Sequence, residues 1–277
     1  MAKVIEERFK NWQDQRFDEG TLKPSDTAKA IIDYLGCECT YFPSMSDDDP
    51  ITSSYSYATR NRSEKGYIPM LIKPDETLLE CFVMNSDLKN DADYYEFDQS
   101  TVEKYRKEML SVSLKDGEEV LGRYIDVRKS EAEDDEFEWQ EIIGSLEGGY
   151  DNCRFSSYWN SQTHMTHPVI LAKIPVKNPW EVFAYLPFGN WNDCPDTEDL
   201  MAVAKYWFEK YGAIPVAMTH DELEFILPAP VSKEDAMELA TEQYGFCSDI
   251  VDQEENPTIG NLADTLWQST VWYFWWD

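Results

Sequence analysis

The sequence is poor in positive charge. Only 24 of its 277 residues are Lys or Arg, against 54 Asp or Glu, so the formal net charge is -30 at pH 7. A surface this anionic repels the phosphates of nucleic acids and anionic lipid headgroups. We therefore expect no broad nucleic-acid or membrane interface. The same charge would speed the encounter with a basic protein partner, but it is also typical of a merely soluble protein, and the composition leaves both interpretations open.

Long apolar runs and closely spaced cysteines are also missing. No segment approaches the roughly 20 apolar residues that cross a bilayer, and residues 1–10 lack the apolar core of a signal peptide. Six cysteines spread over the whole chain do not form a small disulfide scaffold. These absences predict a cytoplasmic protein with free thiols. No glycine spacing matches a phosphate-binding loop, so we expect no cofactor.

What the sequence does have is apolar and aromatic residues in short periodic runs. Hydrophobic residues make up 42% and aromatic residues 14% of the chain, which favours a packed globule. Residues 214–227 read as two short strands around a polar corner, Thr219-His220-Asp221, which is typical of a β-hairpin. Residues 68–83 echo this stretch, since both open with Ile-Pro and turn at an Asp-Glu pair.

The echo predicts an α+β fold made of two related ferredoxin-like (split β-α-β) units, with antiparallel sheets and helices packed on one face. We place the units at residues 1–150 and 151–277. The first has weaker outer strands, a helix over residues 4–17 and a long loop over residues 43–62. The second has a helix capped by Asp196 and stopped by Gly212. Its aromatic tail, residues 271–276, is predicted to be a strand covered on both faces.

Five segments of the second unit carry a resemblance to a known family. They are WEVFAYLPFG (180–189), WNDCP (191–195), THD (219–221), CSDIVDQ (247–253) and WYFWWD (272–277). Together they resemble the bacterial family named domain of unknown function forty-two fifty-three, firmly over about the last 110 residues. The resemblance implies no activity, because the family has none assigned.

Three of these motifs contain side chains that could take part in catalysis. Cys194 could act as a thiol nucleophile, His220 as its base and Asp249 or Asp252 as the residue that orients the base. Neighbouring side chains would then bind a substrate or partner: Trp191, Asn192, Asp193, Asp221 and Asp252. The alternative is structural, with Cys194 as a small apolar loop residue, His220 satisfied by the turn and Asp249 as a local cap.

A zinc site is a further alternative, since Cys194, His220, Cys247 and Asp249 are ligands that zinc accepts. The chain has no Cys-x-x-Cys pair, so we expect no metal. The leading hypothesis from the sequence is an acidic cytoplasmic protein-interaction module. Its most concrete form is an immunity-like inhibitor whose negative face occupies the basic active site of a toxin or nuclease. The rival is a hydrolase-like or metal-binding enzyme that uses Cys194, His220 and Asp249.

Overall fold

A single mixed sheet holds the strands of both predicted units together. A computed structural model describes residues 23–88, 94–134 and 138–277. The strands in chain order are β1 (Glu38–Phe42), β2 (Ile68–Ile72), β3 (Trp159–Asn160), β4 (Met165–Thr166), β5 (Val169–Ile174), β6 (Ile214–Met218), β7 (Glu222–Ile226) and β8 (Val271–Trp275). The short strands β3 and β4 pair only with each other, and the other six form the main sheet.

The order of the main sheet is β1-β5-β2-β6-β7-β8. Neighbours are antiparallel except β2 and β6, which run parallel, with Leu71 opposite Ala217. β5 pairs with β1 on one side and with β2 on the other, so Leu171 lies opposite both Thr40 and Leu71. A strand from beyond residue 150 thus completes the sheet of the first half. The division at residue 150 stays a prediction, but the sheet is continuous across it.

The ferredoxin-like duplication is not confirmed. The hairpin predicted over residues 68–83 is instead strand β2 followed by a helix that begins at Glu76. The reason is local, because the side chain of Asp75 accepts a hydrogen bond from the amide of Leu78 (2.8 Å) and so caps that helix. The hairpin predicted around His220 is confirmed as β6 and β7. The two Asp-Glu pairs therefore have different structural roles.

The helices carry most of the remaining chain. They are α1 (Asp26–Leu35), α2 (Asp49–Lys65), α3 (Glu76–Ser86), α4 (Gln99–Ser111), α5 (Gly117–Asp134), α6 (Trp139–Ile143), a 3₁₀ helix (Pro179–Ala184), α7 (Thr197–Tyr211), α8 (Ala236–Phe246), α9 (Asp249–Asp252) and α10 (Ile259–Leu266). The predicted ends of α7 are confirmed, with Asp196 as its N-cap and Gly212 at φ 74° after its last turn. The predicted helix over residues 4–17 lies outside the described residues.

Helices cover both faces of the sheet, not one as predicted. α2 packs on the face that carries the smaller of two hydrophobic cores, where Ile51, Tyr55 and Ala58 join a cluster with Leu71 and Val216. These three helical positions recur at four and three residues and form one apolar stripe. The loop predicted over residues 43–62 is therefore wrong from Asp49 onwards, because the buried stripe makes helix more stable than loop there.

The larger core lies on the opposite face, and the aromatic tail belongs to it. β8 places Trp272 and Phe274 against Trp207 of α7, at ring-centroid distances of 5.6 and 5.5 Å. The strand is confirmed, but it is the edge of the sheet beside β7 and not a central strand. Tyr273 and Trp275, on its other face, are only partly buried. Among the described helices, none has both the length and the apolar character to span a membrane.

Candidate functional site

His220 lies where the two parallel strands end. It occupies the turn after β6, and Asp75 follows β2, so the carboxyl ends of the parallel pair bring them together across 145 residues of sequence. The imidazole Nδ1 is 3.0 Å from Asp75 Oδ2, and Nε2 is 3.4 Å from Asp221 Oδ2. The hydrogen bond with Asp75 raises the pKa of His220, against the opposing effect of burial. Both carboxylates thus favour the protonated ring.

Asp75 has two structural tasks. Its Oδ1 caps α3 while its Oδ2 faces His220. Burial by itself would raise the pKa of Asp75, but the hydrogen bonds from His220 and from the Leu78 amide outweigh it, and the pKa is lowered. Each side chain of the pair thus favours the charged form of the other.

Asp221 ties this turn to the end of β8. Thr219 donates its hydroxyl to Asp221 Oδ1 (2.6 Å), and Trp275 donates its indole N–H to Asp221 Oδ2 (3.2 Å). The backbone amide of Trp276 donates to the Asp221 carbonyl (3.0 Å). The predicted binding residue Asp221 is thus engaged in holding the hairpin turn against the aromatic tail.

Asn192 and Asp249 hold the residue after that tail. Asn192 Nδ2 donates to the carbonyl oxygen of Asp277 (2.7 Å), and the Asp277 amide donates to Asp249 Oδ2 (3.0 Å). Asn192 adopts φ 44°, a left-handed conformation that asparagine tolerates better than most residues. Trp191, beside it, is partly buried and donates its indole N–H to the carbonyl of Phe188 (2.9 Å). Asn192, Asp249 and Trp191 thus each bind a backbone group, which is a structural role.

Cys194 is not joined to His220. In the described part of the chain no hydrogen bond links the two, and both ring nitrogens of His220 already face carboxylates. The Cys194 thiol is buried, and burial, together with the nearby Cys247 and Cys81, raises its pKa well above the ordinary value. A protonated, enclosed thiol is a poor nucleophile. Asp249, with one oxygen on a main-chain amide, does not contact His220 either, so the geometry does not support the nucleophile-base-orienter set.

The remaining predicted residues, Asp193 and Asp252, border a groove that we call the acidic groove. It lies between α5, α6 and the region of α8 and α9, has a volume of about 460 Å³ and is lined by Arg128, Glu131, Ala132, Glu141, Ile142, Tyr244, Asp252 and Pro257. Arg128 binds Glu131 (2.7 Å) and, at the rim, Asp193 (3.1 Å). Burial raises the pKa of Asp252, with Tyr244 and Arg128 acting in the opposite direction.

Two residues of these sites, Asp75 and Arg128, were not predicted from the sequence. Asp75 had a signal, because it occupies the same place in the echoed stretch as Asp221, yet that likeness suggested a second turn. Arg128 had no signal, since a lone arginine in a charged helix is ordinary. Within the described ranges, one group of acids could hold a metal ion: Asp47, Asp48 and Asp49, whose carboxylate oxygens lie within 4.8 Å of one another. Asp48 is already paired with Arg154 at 3.2 Å, and nothing there indicates an ion.

A family model covers the part of the chain that holds most of these residues. Residues 170–277 match the model described as Domain of unknown function (DUF4253). This match confirms the resemblance of the C-terminal part. The DUF4253 segment contributes β5 to β8 of the sheet, whereas β1, β2 and Asp75, the partner of His220, lie outside it. No curated protein and no solved structure matches the chain.

Proposed function

We propose that this protein is an acidic interaction module that binds a basic protein partner. The observation that carries the proposal is the acidic groove. Among the described residues that line it, three are carboxylates, Glu131, Glu141 and Asp252, and one is a cation, Arg128. Arg128 is already engaged by Glu131 and Asp193, so the groove keeps an excess of negative charge.

The groove also has the shape that a basic side chain needs. Ala132, Ile142 and Tyr244 give it an apolar lining beside the carboxylates. A lysine or arginine of a partner can lay its methylene stem on such a surface and direct its charged head to the acids. Such a contact pairs opposite charges and also covers the apolar stem of the basic side chain.

The exposed acids around the groove extend the negative field beyond it. Glu133, Asp134 and Glu138 are exposed on α5 and just before α6, and Glu254 and Glu255 are exposed after α9. With a formal net charge of -30, the long-range attraction would raise the rate at which a basic partner arrives. The same field argues against a nucleic-acid partner.

The most concrete form of the proposal is an immunity-like inhibitor of a basic toxin, such as a nuclease. An enzyme that binds the phosphates of nucleic acids has a basic cleft, and an anionic surface complements that cleft. We also propose a cytoplasmic location, which agrees with the free thiols of all six cysteines.

The test is equilibrium binding to each basic protein encoded by neighbouring genes, measured by isothermal titration calorimetry at 50 and 300 mM NaCl. We expect a partner whose affinity falls at least tenfold over this range. The triple variant Glu131→Gln, Glu141→Gln and Asp252→Asn should weaken binding at both salt concentrations.

A matched control removes three exposed charges elsewhere, at Asp33, Glu64 and Glu103. It changes the net charge by the same amount, so comparing the two triple variants separates the effect of the groove carboxylates from the effect of the overall negative charge. An affinity insensitive to salt, an equal loss in both triple variants, or no binding to any of these basic proteins would contradict the proposal.

A further inference from the structure

Two cysteines lie next to each other at the start of the first strand. Cys37 and Cys39 are separated by one residue, and both pack against the large core, which places them on the same face of β1. Both are partly exposed, and β1 is an edge of the main sheet among the described strands. The pair is therefore partly open to solvent. The acidic groove is lined by other residues, so the pair and the proposed function are independent.

The two thiols are in contact. The S–H of Cys39 donates a hydrogen bond to the sulfur of Cys37. In a fully extended strand, Cα atoms two residues apart are separated by about 6.4–6.8 Å, the upper end of the range that a disulfide bridges. The chain bends at Cys37, just before β1 begins at Glu38, and a bend shortens this separation. A disulfide between Cys37 and Cys39 is thus within reach of the backbone.

A buried cation beside the pair lacks a carboxylate partner. Arg106, on α4, is 5% exposed, and its guanidinium lies over the rings of Tyr185 and Tyr34 at 4.4 and 5.0 Å. It donates to the carbonyls of Tyr34 (2.6 Å) and Leu35 (3.3 Å) at the end of α1, just before Cys37. Among the described residues, no carboxylate forms an ion pair with Arg106, and its Nε has no hydrogen-bond partner.

A thiolate on Cys37 balances this charge. A buried charge is costly unless opposite charge compensates it, and the carbonyl end of a helix supplies only about half an elementary charge. The hydrogen bond from Cys39 lowers the pKa of Cys37, and the charge of Arg106 acts in the same direction, against burial. The hydrogen bond to Cys37 and burial raise the pKa of Cys39. The pair thus combines one thiol that ionises readily with one that keeps its proton.

We propose that Cys37 and Cys39 form a redox-active dithiol that exchanges with small disulfides such as oxidised glutathione. The Cys37 thiolate attacks one sulfur of the small disulfide, which forms a mixed disulfide and releases one thiolate. Cys39 then loses its proton and attacks the Cys37 sulfur, which closes the Cys37–Cys39 bond and releases the second thiolate. Two electrons pass from the protein to the small disulfide, and the two protons of the pair end on the two released thiols.

The disulfide formed in this way should be easily reduced. A ring that spans only three residues strains the usual disulfide geometry, and strained disulfides are reduced more readily than structural ones. We therefore expect the pair to stay reduced in excess reduced glutathione and to close as the oxidised fraction rises. This is the behaviour of a redox-responsive site and not of a structural bridge.

The test is mass spectrometry of the full-length protein after incubation with mixtures of reduced and oxidised glutathione. Free thiols are alkylated, and trypsin then releases residues 30–60 as one peptide, which holds Cys37, Cys39 and no other cysteine. We expect this peptide to lose two hydrogens as the oxidised fraction rises and to regain them when reduced glutathione is added back. Cys39→Ser should stop at the mixed disulfide on Cys37. In Cys37→Ser, Cys39 should react at least tenfold more slowly.

Two matched controls separate the pair from general thiol and charge effects. Cys153→Ser removes an exposed single thiol and should leave oxidation of the pair unchanged. Arg106→Gln should raise the pH at which Cys37 reaches half of its maximal rate of alkylation by iodoacetamide. Arg60→Gln, which removes the charge of an exposed arginine on α2, should leave this pH unchanged. The wild-type peptide and Cys39→Ser decide the proposal even if Arg106→Gln does not fold.

The wild-type peptide gives the clearest contrary results. A peptide of residues 30–60 that keeps both hydrogens at every glutathione ratio would overturn the proposal. A wild-type reaction that stops at a mixed disulfide, or a disulfide from either thiol to Cys153, would do the same. Equal rates for Cys37 in Cys39→Ser and for Cys39 in Cys37→Ser would overturn the role of Cys37 as the attacking thiol.

Discussion

The large aromatic core makes a strong prediction at Trp276, the residue after β8. Its exposed fraction is 1%, and its ring packs on Phe188, Phe246 and Phe274 at centroid distances of 5.8, 5.6 and 6.1 Å. Burying a ring of this kind removes roughly 150–250 Å² from water, worth about 4–6 kcal/mol at 25 cal/mol per Å². Since unfolded chains already bury part of this surface, we expect Trp276→Ala to cost about 3–5 kcal/mol.

The variant Trp276→Phe separates the ring from the indole N–H. That N–H is buried and has no hydrogen-bond partner among the described residues, so its loss carries no penalty. We expect Trp276→Phe to cost only about 1–2 kcal/mol, mainly for the smaller ring. Trp159, with an exposed fraction of 37%, is the control, and Trp159→Ala should cost less than about 1 kcal/mol.

The assay is urea unfolding at pH 7 followed by far-UV circular dichroism, which does not depend on the tryptophans that are replaced. The slope of the unfolding free energy against urea should stay the same in all variants. A cost below about 1 kcal/mol for Trp276→Ala would refute the reasoning. Equal costs for the alanine and phenylalanine variants would show that the N–H, not the ring, stabilises this end of the sheet.

Three further predictions concern other parts of the fold. Burial raises the pKa of Glu224, so its contribution to stability is present below pH 4.5 and is lost as the pH rises through the raised value. The unfolding free energy of Glu224→Gln, measured in urea, should therefore increase relative to that of the wild type between pH 4 and pH 7. A difference in unfolding free energy that does not change with pH would contradict this. Asp199→Asn should lower the unfolding free energy by about 2–3 kcal/mol, because it breaks charged hydrogen bonds from Lys115 and Arg123. The cost stays in this range because the side chains of Lys115 and Arg123 are exposed and remain hydrated when Asp199 is replaced. An unchanged urea midpoint would refute this prediction. Gly260→Ala should lower the melting temperature, since a Cβ would meet the Ser145 carbonyl oxygen at 2.2 Å; a wild-type melting curve would disprove that close contact.

Several local elements could be predicted because their signals lie within a few residues. The hairpin around His220 needs only two apolar strands and a polar turn, and α7 needs only its cap at Asp196 and its stop at Gly212. Such elements are closed by hydrogen bonds between near neighbours in sequence. The α2 helix had similar signals, in Pro50 at its first turn and Gly66 after its last, but its many Ser, Asp and Tyr residues favoured a loop.

The candidate sites were harder to predict than the elements. Asn192, Asp221 and Asp249, one from each of three motifs, all contact residues 275–277, and most of these contacts involve the backbone. The partner of His220 is Asp75, which caps a helix in the other half of the chain.

The sequence by itself determined the charge, the DUF4253 resemblance of residues 170–277, the two ends of α7 and the β6-β7 hairpin, because each depends on composition or on contacts between nearby residues. Only the tertiary structure decided that β5 lies between β1 and β2, that β8 is an edge, and that helices cover both faces. The physical reason is that strand order depends on which apolar faces bury one another across long stretches of chain. Two Asp-Glu pairs with the same letters can therefore begin a helix in one place and close a hairpin in another.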